Sequence, residues 1–164
     1  MRTVPLHGKK AAGRVAVVDD EDYELVSPYR WHVLENPRPG RINGPYAAAG
    51  HSHVLMHNLI LGVKGVDHIN HDGLDNRRAN LRPATPRQNN HNERPRTGSS
   101  SPFKGVAWDG RWRGRWQAHI AIDGRRQSLG RFPTEEAAAR AYDAAALATQ
   151  GEYAWLNFPD GAAS

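Results

Sequence analysis

The chain has 164 residues, enough for one ordinary domain or two small ones, and carries 22 Lys and Arg against 17 Asp and Glu, a formal net charge of +5. It has no cysteine, which excludes disulfides and any thiolate-bound zinc. The opening MRTVPLHGKKAAGR lacks the apolar core of a signal peptide and no apolar run reaches membrane-spanning length, so the expectation is a soluble cytoplasmic protein with an anionic partner, nucleic acid first, and no membrane.

Along the first half, Gly13-Arg-Val-Ala-Val-Val18 reads as a strand, followed by an acidic run from Asp19 to Glu24. Pro37, Pro39, Gly40, Gly44 and Pro45 break the middle into turns. Val54-Leu-Met-His-Asn-Leu-Ile-Leu61 is apolar enough for a short helix that Gly62 would stop. Asp67 and His68 then stand at the end of a strand, a turn-rich loop runs from Asn70 to Gly73, and a polar segment leads to Asn80. Thr85-Pro86 is a helix start, and that helix carries Asn89. Residues 91–102, HNERPRTGSSSP, are polar, punctuated by Pro and Gly, and without apolar periodicity, the pattern of a linker.

In the second half, Phe103 to Trp108 is a short strand. Trp116, Ala118, Ile120 and Ile122 alternate with Arg115, Gln117, His119 and Ala121, the period of a half-buried strand. Asp123-Gly124 is a hairpin turn, and Arg126 to Phe132 is a third strand. Thr134 is a good N-cap, Glu135 and Glu136 suit the positive end of a helix, and the Ala-rich run to Thr149 ends near Gly151. Ala138, Ala141, Tyr142, Ala145 and Ala148 share one face, which predicts a helix lying on the back of a three-stranded antiparallel sheet.

Strand, loop, strand and helix would bring Asp67, His68, Asn80 and Asn89 to one point. Carboxylate and amide oxygens suit a hard cation, which can neutralise a phosphodiester undergoing attack. Imidazole suits proton abstraction from water near neutrality, and it needs a group to orient it. Each residue also has a structural alternative: a hydrogen-bonded Asp-His turn, an Asn80 turn cap, an Asn89 on a helix surface. His51, His53 and His57 form a second cluster, in which His53 and His57 are spaced to share a helix face. With no third ligand in view they read as packing or hydrogen-bonding histidines.

The residues Met56-His-Asn-Leu-Ile60, VDHINHDGLDNRRANLR over 66–82 and Thr85-Pro-Arg-Gln-Asn-Asn90 resemble the HNH endonucleases, in the branch found among homing endonucleases. The resemblance covers most of residues 1–92. It implies a ββα-metal fold, His68 as general base, Asp67 and Asn89 as metal ligands, and Asn80 as the residue that fixes the loop and His68. The family's last position is often His; here it is Asn89, with His91 two residues on. The cofactor implied is a divalent metal, Mg²⁺ with Mn²⁺ as the alternative.

The open side of the predicted sheet would present Arg113, Arg115, Gln117 and His119, with Lys104 and Arg126 on neighbouring strands and Trp108 and Arg111 near the first hairpin. Such a face can read guanine through Arg and adenine through Gln, or it can be an ordinary exposed strand. KGVAW over 104–108, RWQAHI over 115–120, LGRF over 129–132, EAAARAYDAA over 136–145 and LNFP over 156–159 resemble the AP2/ERF DNA-binding domain across essentially all of 103–159. That resemblance implies a sheet lying in the major groove and contact roles for Lys104, Arg113, Arg115, His119, Arg126 and Ser128. Ala107, His119, Ala121 and Ser128 stand where the plant pattern has mostly Arg, Trp and Glu, so the plant target sequence does not carry over. Arg77, Arg78, Arg82, Arg87, Arg94 and Arg96 could track a nucleic-acid backbone between the halves or form a solvated stretch.

The whole predicts an α+β chain: an HNH nuclease domain over 1–92 with its core at about 55–92, a linker over 93–101, and an AP2/ERF-like domain over 102–160. The expected function is metal-dependent, homing-type cleavage of double-stranded DNA by a monomer on DNA, in a bacterial or phage-infected cell. The alternatives are a non-catalytic DNA-binding regulator with a decayed HNH module, and an RNA-directed nuclease or binder.

Overall fold

In the computed structural model, which describes residues 1–38, 41–95, 98–110 and 115–159 and all of their side chains except those of 36–38 and 41–43, the chain divides into two units, Met1–Asn90 and His91–Ser164. Both are mixed α and β with small antiparallel sheets. Among the described residues no helix is long and apolar enough to cross a membrane.

The first unit opens with an antiparallel pair, β1 (Arg2–Pro5) and β2 (Val15–Val18). The acidic run becomes a 3-10 turn, Asp20–Asp22, and the short helix α1 (Tyr23–Val26). A three-stranded sheet follows in the order β3 (Trp31–Arg38), β4 (Arg41–Ala49), β5 (Val54–Leu55). Here the expected turns are replaced by strands: β3 and β4 run through Pro37, Gly44 and Pro45, while Pro39 and Gly40 lie outside the described residues. Proline is tolerated because β3 is an edge strand, and Gly44 and Pro45 fall in a register shift between the Leu34–Tyr46 and Asn36–Asn43 pairs.

The predicted helix over 54–61 is shorter than expected. Val54 and Leu55 pair with Ala49 and Ala48 as β5, and α2 covers Met56–Leu61, ending at Gly62 with φ 68°. Then come β6 (Val66–His68), a 3-10 turn at Arg78–Asn80, β7 (Leu81–Pro83) antiparallel to β6, and α3 (Pro86–His91). The start of α3 is a capping box: the Gln88 carboxamide oxygen accepts from Thr85 N at 2.9 Å, and Gln88 N donates to Thr85 Oγ1 at 3.3 Å. One core, centred on Trp31, Val18, Val26 and Met56, joins β1–β4, α2, β6 and β7. The Trp31 indole donates to Val26 O at 2.8 Å, which satisfies its only polar atom.

The second unit is a sheet in the order β10 (Arg125–Phe132), β9 (Arg115–Ile122), β8 (Val106–Asp109), backed by α4 (Glu135–Gln150). Thr134 caps α4 by accepting from Ala137 N at 3.1 Å. Ala138, Ala139, Tyr142 and Ala146 are buried against the sheet. Gly105 (φ 77°) is required twice over: a Cβ would overlap the Tyr142 ring and the His119 carbonyl. The described parts of the stretch expected as a linker are tied into this unit, and residues 96 and 97 lie outside the described residues. Ser101 and Asn92 are buried, and the Lys104 ammonium donates to the His91 and Glu93 carbonyl oxygens at 2.5 and 2.8 Å.

Candidate active site and nucleic-acid face

β6 ends on Asp67 and His68, and both side chains are buried. Across the β6–β7 pair Asp67 faces Arg82 and His68 faces Leu81. Arg82 donates to Asp67 Oδ2 through Nε at 2.9 Å and Nη2 at 2.7 Å, a buried ion pair. Asn89 sits exposed on α3. Among the described residues no three His, Cys, Asp or Glu side chains gather as a metal-holding group; the set expected here has one carboxylate and takes its other protein oxygen from an amide. Those oxygens are hard donors that fit Mg²⁺, and a guanidinium on the outer edge of a ligating carboxylate is compatible with ligation.

Asn80 braces the loop that follows His68. Its Oδ1 accepts from Asn70 N at 2.9 Å, its Nδ2 donates to Asp75 O at 2.7 Å, and its own carbonyl accepts from Ile69 N at 2.9 Å. Within that loop Asp75 accepts from Arg77 Nε at 2.7 Å and from Asn70 Nδ2 at 2.9 Å, and the Arg77 guanidinium holds the Asp75 carboxyl below its ordinary value. Gly73 lets the loop lie against β4, since a Cβ there would overlap Pro45 O and the Tyr46 ring.

The His68 ring has three neighbours that sequence reasoning did not place there. Asn76, fully buried, sets its Oδ1 3.4 Å from His68 Nε2. The His57 ring meets it edge to face, with centroids 4.8 Å apart and planes at 89°, and Tyr46 lies 5.7 Å away. Burial lowers the pKa of His68, opposed by the Asn76 hydrogen bond and by Asp67, Asp72 and Asp75. Burial also pushes His57 down to about 3, aided by His68. His57 is only 4 % exposed and its Nδ1 has no hydrogen-bond partner among the described residues. His53 does not share a helix face with His57: it precedes β5 with φ 51° and is exposed, as is His51.

Three of the arginines expected either to track a nucleic acid or to be solvated make ion pairs within the first unit, Arg82 buried and the other two partly exposed. Arg82 pairs with Asp67 and Arg77 with Asp75. Arg78 donates to Asp22 through Nε at 2.9 Å and Nη2 at 2.7 Å, and its main-chain N donates to Asp19 Oδ2 at 2.8 Å.

In the second unit Arg115, Gln117, His119 and Ala121 alternate to the side away from α4, as their period requires. Ser128 pairs with His119 and Arg126 with Ala121, so both lie on the same open side. Arg126 Nη2 is 3.0 Å from His119 Nδ1, and His119 is lowered by burial and by the Arg126 and Arg131 charges. Lys104 is placed otherwise: its ammonium is engaged by main-chain carbonyls, and burial brings it down to about 8. Trp108 pairs with Trp116 and meets its ring at 5.0 Å, on the α4 side of the sheet. Arg111 and Arg113 lie outside the described residues.

An uncharacterized HNH endonuclease of Acanthamoeba polyphaga mimivirus is 31 % identical over 153 residues, 90 % of this chain and 77 % of its own. The chain belongs to the HNH endonuclease family. Its HNH half is joined to an AP2/ERF half. An AP2/ERF and B3 domain-containing protein of Oryza sativa subsp. japonica is 54 % identical over 65 residues, 40 % of this chain and 17 % of its own. The dehydration-responsive element-binding protein 1B of the same subspecies is 56 % identical over 52 residues, 30 % of this chain and 24 % of its own. No family profile and no solved structure matches the chain.

In this HNH chain the side chains that sequence reasoning missed are Asn76 and Tyr46 in the first unit and Arg131 in the second, while Arg82 and His57 were named without their places beside Asp67 and His68. Arg131 pairs with Gln117 on the open side and donates from Nε to Asp109 Oδ2 at 3.0 Å. Alternation from Arg126 and Ser128 would turn it inwards. One extra residue at Leu129, between Ser128 and Gly130, reverses the facing.

Proposed function

We propose that this chain is a divalent-metal-dependent DNA endonuclease of homing type, that β6, β7 and α3 form a ββα-metal nuclease core, and that the second unit docks on duplex DNA. The observation that carries the proposal is the buried Asp67-His68 pair at the end of β6, with the following loop braced by Asn80, in a chain of the HNH family. His68 removes the proton from a water whose oxygen attacks the scissile phosphorus. The P–O3′ bond breaks, giving 5′-phosphate and 3′-hydroxyl ends. Asp67 and Asn89 would hold the metal, Mg²⁺ before Mn²⁺; when bound it supplies charge neutralisation at the phosphate and the departing oxygen. Asn80 keeps the loop after His68 closed. The open sheet face, with Arg115, Gln117, His119, Arg126, Ser128 and Arg131, supplies phosphate and base-edge contacts, which raises the local concentration of the cutter at preferred sites.

The ion pair between Asp67 and Arg82 favours a second reading, a DNA-binding protein whose HNH half no longer cuts, because it gives Asp67 a purely structural use. Plasmid nicking separates the two. Cleavage is expected with Mg²⁺, and it should vanish with EDTA and in His68→Ala. Folded wild-type protein that cuts no DNA, or cleavage unaltered by His68→Ala, overturns the nuclease proposal. Competition between duplex DNA and duplex RNA tests the partner, since the sheet is argued to fit a B-form major groove.

A further inference from the structure

Asn80 braces the loop after His68, but the side chain that meets a His68 ring nitrogen is that of Asn76. Its carboxamide is fully buried, and Oδ1 lies 3.4 Å from His68 Nε2. Among the described residues that is the only hydrogen bond the Asn76 side chain makes: Nδ2 is buried with no partner there. Buried polar atoms are normally satisfied, and an apolar side chain of this shape would fill the space without the orphaned N–H. The oxygen is the atom through which the side chain engages its surroundings. Its place is fixed from outside the loop, because Asn76 N donates to Val17 O at 2.7 Å and Val17 N donates to Leu74 O at 2.8 Å. The acceptor is thus anchored to β2, while the His68 ring is walled by His57 at 4.8 Å and Tyr46 at 5.7 Å.

We propose that Asn76 is a positioning residue for His68: its Oδ1 accepts from Nε2–H and so fixes Nδ1 as the ring nitrogen that takes the proton from water. An imidazole whose tautomer is unassigned presents the wrong nitrogen part of the time; one acceptor on Nε2 removes that loss. The 3.4 Å separation is at the long end for such a bond. The inference rests on His68 being the general base, and it can be tested apart from that reading.

The test is ¹⁵N NMR of histidine-labelled full-length protein in EDTA, with nicking kinetics measured in Mg²⁺. Wild type should show His68 as one tautomer protonated at Nε2. Asn76→Ala should turn it into a mixture, and Asn76→Asp, which keeps an acceptor, should restore the single form. In nicking, Asn76→Ala should lower kcat by about 10- to 100-fold, part of what a general base contributes, with KM within about threefold. A wild-type His68 protonated at Nδ1 overturns the proposal, because the carboxamide would then be seated with Nδ2 towards the ring. So does a folded Asn76→Ala whose His68 keeps the single Nε2–H form. Should Asn76→Ala not fold, the wild-type and Asn76→Asp spectra decide: loss of the Nε2–H form in Asn76→Asp overturns it. If wild-type protein cuts no DNA, the base reading fails while the tautomer result stands by itself.

Discussion

Replacing Arg82 by Met removes the cation from a carboxylate that is almost fully enclosed. Asp67 is 4 % exposed and receives two charge-assisted hydrogen bonds from Arg82, at 2.9 and 2.7 Å on the same oxygen. Breaking one side of a buried ion pair costs about 3–5 kcal/mol, far more than deleting both sides, because the remaining charge is left without compensation. Arg82→Met should therefore lose about 3–5 kcal/mol of stability in the first unit, and Asp67→Asn/Arg82→Met only about 0–2 kcal/mol. If Asp67 is also a metal ligand, the single variant gains what the double variant cannot. Mg²⁺ at a hundred times its dissociation constant should return about 2.7 kcal/mol to Arg82→Met and nothing to the double variant. The assay is urea unfolding followed by hydrogen exchange of peptides from residues 1–90, with Mg²⁺ or EDTA, so that the second unit does not enter the measurement. A loss below about 1 kcal/mol in Arg82→Met refutes the buried-pair argument. An equal Mg²⁺ gain in both variants refutes ligation by Asp67.

The second unit should become more stable between pH 8 and pH 10. Lys104 titrates near 8 when folded and at its ordinary, higher value when unfolded, so the unfolded chain binds more protons in that window. The gain, about 1–3 kcal/mol in chemical denaturation, should be absent from Lys104→Met; above pH 10 it reverses, since burial raises Tyr142 and the unfolded tyrosine ionises first. A wild-type stability that falls between pH 8 and 10 contradicts this. Arg131→Ala should weaken duplex binding and reduce the slope of log affinity against log salt by about 0.9, whereas Asp109→Asn should strengthen binding; anisotropy titrations across salt concentrations check both, and an unchanged slope removes Arg131 from the interface. Gly105→Ala should cost about 2 kcal/mol or more of second-unit stability, because its Cβ meets the Tyr142 ring and the His119 carbonyl at a positive φ; a wild-type urea midpoint would show that this approach is not needed.

What was legible in the sequence was whatever local period or local chemistry decides. The alternation in 115–122 announces which residues of β9 face α4, because adjacent side chains of a strand point to opposite sides. Thr134 and Thr85-Pro86 announce two helix starts, because an N-cap acts within three residues. Composition misled where distant partners decide. The Pro, Gly and Ser of residues 91–102 read as a linker, yet the Lys104 ammonium draws the His91 and Glu93 carbonyls onto the second unit. Pro37 and Pro45 read as turns, yet an edge strand and a register shift accommodate them.

The residues of the candidate site divide along the same line. Asn80 is legible because its side-chain bonds reach Asn70 and Asp75, in the adjoining loop. Asn76 is not, because its usefulness depends on Val17, whose carbonyl holds it in place from another strand. His57 illustrates a harder case. Its position in α2 marks it for the core, and it is in the core; nothing local distinguishes a packed histidine from one that walls a neighbour's ring. Only the 4.8 Å approach to His68, together with a ring nitrogen left without a partner, makes that distinction. Burial then serves the site directly. Because desolvation keeps His57 neutral, His68 gains an aromatic wall without a positive charge beside it, and a cationic side chain in the same place would disfavour a protonated His68.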